Sequence, residues 1–130
     1  MSAQSEIVLD NAEANIRAIE LLTENGFSIF RLWEIETAPH PTGGSYEFLV
    51  RTADGIERKL LVEITHEVVS QIEIHTGGRI LLSNSFWIWC AERHLATHLS
   101  EHDECPRDGK LRVETLTPAD LNLSIRWERT

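Results

Sequence analysis

A chain of 130 residues with 42% hydrophobic side chains has the size and apolar content of one globular domain. Its 21 acidic residues against 12 basic ones give a formal net charge of -9. That balance repels phosphate backbones and supplies no basic stripe, so nucleic acid is excluded as an expected partner. No apolar run approaches the roughly 20 residues that a bilayer demands, so no membrane partner is expected. Met1 to Asp10 lacks the basic region and long apolar core of a secretion signal, and two cysteines make no disulfide framework. The default compartment is the reducing cytoplasm.

In chain order, Asp10 with Glu13 resembles a capping box. Ala12, Ile16, Ile19 and Leu22 then recur at helical spacing, and Asn25-Gly26 supplies a helix stop. The apolar Ile7-Val8-Leu9 before it fits either a hydrophobic staple or a short edge strand. From Phe27 the period changes to two: Phe27, Ile29, Arg31, Trp33 and Ile35 share one face, with Phe30 and Leu32 adding apolar bulk to the other. Thr37 to Gly44 is a proline- and glycine-rich loop. Tyr46, Phe48 and Val50 alternate, Ala53-Asp54-Gly55 signals a hairpin turn, and Leu60, Val62 and Ile64 alternate again. These three strands read as an antiparallel meander.

Thr65 can cap a short helix to about Thr76, with Val68, Val69 and Ile72 inward and Gly77-Gly78 closing it. A longer helix follows from about Ser83 or Ser85 to His102, its apolar face carried by Ile88, Ala91, Leu95 and Leu99. Leu111 and Val113 alternate, and Thr117-Pro118-Ala119-Asp120 reads as a turn. Leu121, Leu123, Ile125 and Trp127 then give the cleanest strand pattern in the chain. The expected fold is a single α+β domain over residues 1–130. Its elements run α-β-β-β-α-α-β-β, in a mainly antiparallel sheet of about five strands with helices on one face.

No phosphate-binding loop, dinucleotide fingerprint, nucleophile elbow, C-x-x-C or H-E-x-x-H is present. The pattern that carries most chemistry lies on the long helix, where Cys90, His94, His98 and His102 stand at successive i+4 positions. Neighbours four apart share a face, and imidazole and thiolate suit zinc or a similar transition metal. Each step drifts by about 40°, so the outer two diverge by about 120° and adjacent pairs alone converge. His94 and His98 are therefore the candidate ligands, with His102 or Cys90 as additional ones. The plainer explanation is that His94 and His98 are boundary residues packed beside Trp87 and Ala91. Cys90 with His94 also has the spacing of a thiolate–imidazole pair, although a cysteine set among tryptophans more often packs as a small hydrophobe.

Phe86, Trp87 and Trp89 cannot all face one core from a helix start. Together with Phe30 they suggest a self-association or partner surface, whose candidate residues are Phe30, Trp87 and Trp89. Three functions follow. One is a non-enzymatic, acidic protein-binding module, either an inhibitor or immunity-type factor or a self-associating homodimer. Another is a transition-metal-binding domain centred on His94 and His98. The last is a small enzyme whose site only the fold assembles. No cofactor is expected, zinc being the one candidate.

Overall fold

The computed structural model describes residues 20–36, 41 and 43–127. They form an α+β fold in the order β1 (Glu20–Leu22), β2 (Ser28–Arg31), α1 (Leu32–Ile35), β3 (Ser45–Arg51), β4 (Glu57–Ile64), α2 (His66–His75), α3 (Phe86–His102), β5 (Lys110–Val113) and α4 (Pro118–Arg126). The five strands lie in one sheet in sequence order. The first three pairings are antiparallel, and β5 runs parallel to β4 with Ile64 opposite Val113. A parallel neighbour requires a crossover connection, and α2 with α3 provides it.

Alternation decides which face of the sheet is covered. Tyr46, Phe48 and Val50 of β3 and Leu60, Val62 and Ile64 of β4 are buried. Against them pack Val68, Val69 and Ile72 of α2 and Phe86, Trp87, Cys90, Ala91, Leu95 and Leu99 of α3. Burying each large apolar side chain contributes about 1.5–3 kcal/mol. The opposite face carries Glu47, Arg51, Glu57 and Lys59, all exposed. Arg51 donates to Glu57 there and stacks over the half-buried Phe30 ring at 5.3 Å.

Local chemistry explains the elements that agree with their sequence patterns. The β3–β4 turn closes with Thr52 N–H donating to the Ile56 carbonyl at 2.8 Å, and Gly55 at φ 90° admits the left-handed step. The Thr65 hydroxyl accepts from the Val68 N–H and starts α2. α3 ends at Asp103, which takes the left-handed conformation while its N–H reaches the Leu99 carbonyl at 2.9 Å.

Three expectations are corrected. The first helix does not extend to Leu22: Glu20–Leu22 is a strand paired with Ser28–Phe30, and Asn25-Gly26 turns a hairpin instead of ending a helix. The Asp10 to Ile19 part of that helix, and Ile7 to Leu9, lie outside the described residues. The strand from Phe27 stops at Arg31, where the chain enters the one-turn helix α1, so Leu32 and Trp33 are both buried while Ile35 is 43% exposed. The largest correction is at the C-terminal end. Thr117 to Trp127 is a capped helix, not a turn and a strand.

That helix begins with a complete capping box. The Thr117 hydroxyl accepts from the Asp120 N–H at 3.1 Å, the Asp120 carboxylate accepts from the Thr117 N–H at 2.9 Å, and Pro118 occupies the first turn. Its buried positions are Asp120 and Ser124, with Trp127 continuing the i, i+4, i+7 stripe. Arg79 donates to the Ser124 carbonyl at 2.6 Å and to the Trp127 carbonyl, satisfying acceptors of the last turn. The alternation of Leu121, Leu123 and Ile125 is overridden by these local bonds.

Candidate functional site

α3 and α4 meet where the capping carboxylate of one helix faces the thiol and imidazole of the other. His94 Nε2 donates to Asp120 Oδ2 at 2.7 Å, and the Cys90 thiol donates to Asp120 Oδ1 at 3.8 Å. The Arg93 guanidinium stands 3.7 Å from Oδ1. Cys90 and His94 lie one helical turn apart on α3, so both project towards the same place. The α4 capping box fixes Asp120 from the other side. Sulfur, imidazole nitrogen and carboxylate oxygen all lie within 4.8 Å of one another.

The cluster is graded in burial. Cys90 and Asp120 are inaccessible, whereas the His94 side chain keeps 19% of its surface in contact with solvent. It opens onto a cavity of about 180 Å³ whose walls include Arg93, His94, His98, Glu101, His102 and Asp120.

Electrostatics follow from this placement. Burial pushes the Cys90 thiol far up, the Asp120 charge adds to that, and Arg93 opposes it. Free Cys90 is thus a protonated thiol, not a poised nucleophile. Burial would also raise the Asp120 carboxyl, but hydrogen bonds from His94 and the Thr117 N–H outweigh it and hold Asp120 below the usual carboxylate value. Burial pushes the nearby Tyr46 phenol up to about 12, with Cys90 reinforcing the shift and the Gly44 backbone opposing it. His98 is lowered by burial and by His102, against Glu104 and Glu101.

The structure divides the four-residue ladder of α3 into two pairs. Cys90 and His94 join Asp120 inside. His98 and His102 stack on each other further along the helix, with ring centroids 4.4 Å apart. His94, one of the two expected ligands, thus bonds to Asp120, while His98, the other, stacks on His102. Asp120 was not legible as a site residue, although Thr117-Pro118-Ala119-Asp120 carries the Thr-x-x-Asp spacing of a capping box.

The expected interface residues separate too. Trp87 is fully buried, its indole N–H donating to the Leu81 carbonyl at 3.1 Å, so it is a core residue and not part of a surface. Phe30 is half-buried on the open face of the sheet. Trp89 is 42% exposed and sits over Arg31 at 5.1 Å, beside Trp127 at 6.4 Å. Beneath it Arg31 makes a buried, bidentate pair with Glu92, both bonds 3.2 Å long, which ties β2 to α3.

No family model, curated protein or solved structure matches this chain. Among the described residues no helix is long and apolar enough to cross a membrane.

A tetrahedral zinc ion bound at about 2.0–2.3 Å sets a sulfur–oxygen separation of about 3.6 Å and a nitrogen–oxygen separation of about 3.3 Å. The sulfur–oxygen distance here is 3.8 Å and the nitrogen–oxygen distance 2.7 Å. The first distance runs to Oδ1 and the second to Oδ2, so an ion shared by all three residues would need small side-chain adjustments to bring sulfur and nitrogen around one carboxylate oxygen. Three protein ligands leave one tetrahedral position for water or another ligand, the arrangement that catalytic zinc sites also use.

Proposed function

We propose that this chain is a transition-metal-binding domain that takes zinc or a similar divalent ion between Cys90, His94 and Asp120. The observation that supports this most directly is the convergence of thiol, imidazole and carboxylate from two helices within 4.8 Å. Zinc would displace the Cys90 thiol proton to solvent, and the proton on His94 Nε2 would shift to Nδ1, leaving a neutral imidazole ligand. The thiolate and the carboxylate would then balance the charge of the dication. The cavity beside His94 and Asp120 gives the ion its route in.

Calorimetric titration of untagged, metal-free protein with zinc in buffers of different ionisation enthalpy tests this reading. Stoichiometric binding with proton release, weakened strongly by Cys90→Ser and by Asp120→Asn, supports it. Binding that neither substitution alters, or no binding, refutes it.

A second reading, recognition of another protein or of a second copy of this chain, is favoured by Trp89, whose indole is 42% exposed beside Trp127. Sedimentation of the wild type and Trp89→Ala over a range of concentrations tests the self-association form. A monomer at every concentration removes it.

A further inference from the structure

His98 and His102 are not used by the inner cluster, yet they share its cavity. They stand at i and i+4 on α3, the spacing at which two helical imidazoles bind one metal ion. Their rings lie 4.4 Å apart between centroids, tilted by 42°. Among the described residues neither imidazole takes part in a hydrogen bond, in contrast to His94 with its 2.7 Å bond to Asp120. His102 is exposed and His98 half-buried, so the pair sits at the solvent side of the cavity. Glu101 lines the same wall and offers a carboxylate.

We infer that His98 and His102 form a second, solvent-facing chelate for a borderline divalent metal at the mouth of the cavity, which captures an ion before the inner cluster takes it. Rotation of the two side chains brings one nitrogen from each ring to the separation of about 3 Å that a shared ion requires. Water and Glu101 complete the coordination. Two neutral imidazoles bind more weakly than a set containing thiolate, and they favour copper over nickel and zinc. A weak site at the entrance and a stronger one on the floor make a gradient along which an ion moves inward. The chelate itself is independent of the inner cluster, whereas the inward transfer rests on the metal-binding reading proposed above.

The test uses the untagged 130-residue chain with zinc chloride and nickel chloride as probes. Metal bound at saturation is measured by equilibrium dialysis for the wild type, His98→Ala/His102→Ala and Cys90→Ser. The proton resonances of the histidine rings are followed as nickel is added. The inference predicts a tight and a weaker class of zinc site in the wild type. The double histidine variant loses only the weaker class, Cys90→Ser only the tighter one. In Cys90→Ser, where the tighter site is lost, nickel broadens the His98 and His102 resonances at lower concentration than any other ring, and stopped-flow loading of the tight site of the wild type is faster than that of the double histidine variant. His98→Gln/His102→Gln guards against a folding artefact and behaves as the alanine variant does. If the double variants keep both classes and the wild-type loading rate, the outer chelate is overturned while the inner cluster stands. If Cys90→Ser changes nothing but the double variants lose their metal, the inner reading and the transfer fail while the chelate survives.

Discussion

Replacing Asp120 by alanine removes an acceptor shared by both helices that meet at the site. Its carboxylate receives the Thr117 N–H at 2.9 Å and His94 Nε2 at 2.7 Å, and the Cys90 thiol at 3.8 Å adds a weak third bond. Asp120 is fully buried, so water cannot replace the lost acceptor at its own position. Breaking a buried charged pair costs about 3–5 kcal/mol. His94 and Arg93 keep 19% and 36% of their side-chain surface in solvent, which recovers part of that, so the loss expected for Asp120→Ala is about 3 kcal/mol. Thr117→Ala removes only the hydroxyl that caps Asp120 N–H and costs about 1 kcal/mol. Because the two bonds are reciprocal, the double variant falls short of the sum. Urea unfolding with chelator present, followed by tryptophan fluorescence, measures this. With a slope of about 2 kcal/mol per molar, Asp120→Ala moves the midpoint down by roughly 1.5 M. A loss below about 1 kcal/mol would refute the reasoning, since the carboxylate would then not hold the two helices together.

The remaining predictions concern the same fold. Glu92→Ala strips the buried Arg31 guanidinium of its bidentate partner, leaving it with the more distant Glu34 carboxylate at 3.9 Å, and destabilises by about 3–5 kcal/mol. Arg31→Met/Glu92→Met, which removes both charges, costs less than the single change in the same urea assay. Asp120 is ionised at lower pH in the folded chain than in the unfolded one, so its stabilisation is full above the ordinary carboxylate range and is lost as pH falls through its lowered value. Urea titrations from neutral to acidic pH should show a shallower acid limb for Asp120→Asn, and an unchanged limb would contradict the assignment. Gly26→Ala places a Cβ 2.9 Å from the Ala53 Cβ at φ 96° and should cost more than Gly55→Ala, which has the same backbone strain at φ 90° but open space around it. Equal thermal shifts for the two would show that the β1–β2 turn yields freely.

The parts of the fold that were legible are those where local signals agree with tertiary placement. Tyr46, Phe48 and Val50 alternate because one side of β3 meets the helices and the other meets solvent. Thr65 and Gly77 bracket α2, and α3 shows its stripe from Ile88 to Leu99. β1 was hidden because three residues carry no period of their own; Glu20–Leu22 is a strand through its pairing with β2. α4 misled because Leu121, Leu123 and Ile125 alternate, whereas the decisive information lay in Thr117, Pro118 and Asp120 just upstream. The candidate site divides in the same way. The Cys90 and His94 half follows from i+4 spacing along one helix. The Asp120 half comes from α4, 26 residues further on, and depends on a tertiary contact that no local pattern encodes. The buried Arg31–Glu92 pair, whose partners stand 61 positions apart, was hidden for the same reason.

Cobalt(II) absorption of the untagged, metal-free chain tests the central claim most directly, because sulfur ligation has its own optical signature. The account predicts an intense thiolate-to-cobalt charge-transfer band with the visible bands of tetrahedral geometry, reaching their limit at stoichiometric metal. Zinc should bleach them, and Cys90→Ser should lack the charge-transfer band. Octahedral, weakly coloured cobalt with no sulfur band in the wild type would contradict the account. Cys90, His94 and Asp120 would then be a hydrogen-bonded clasp between two helices and nothing more.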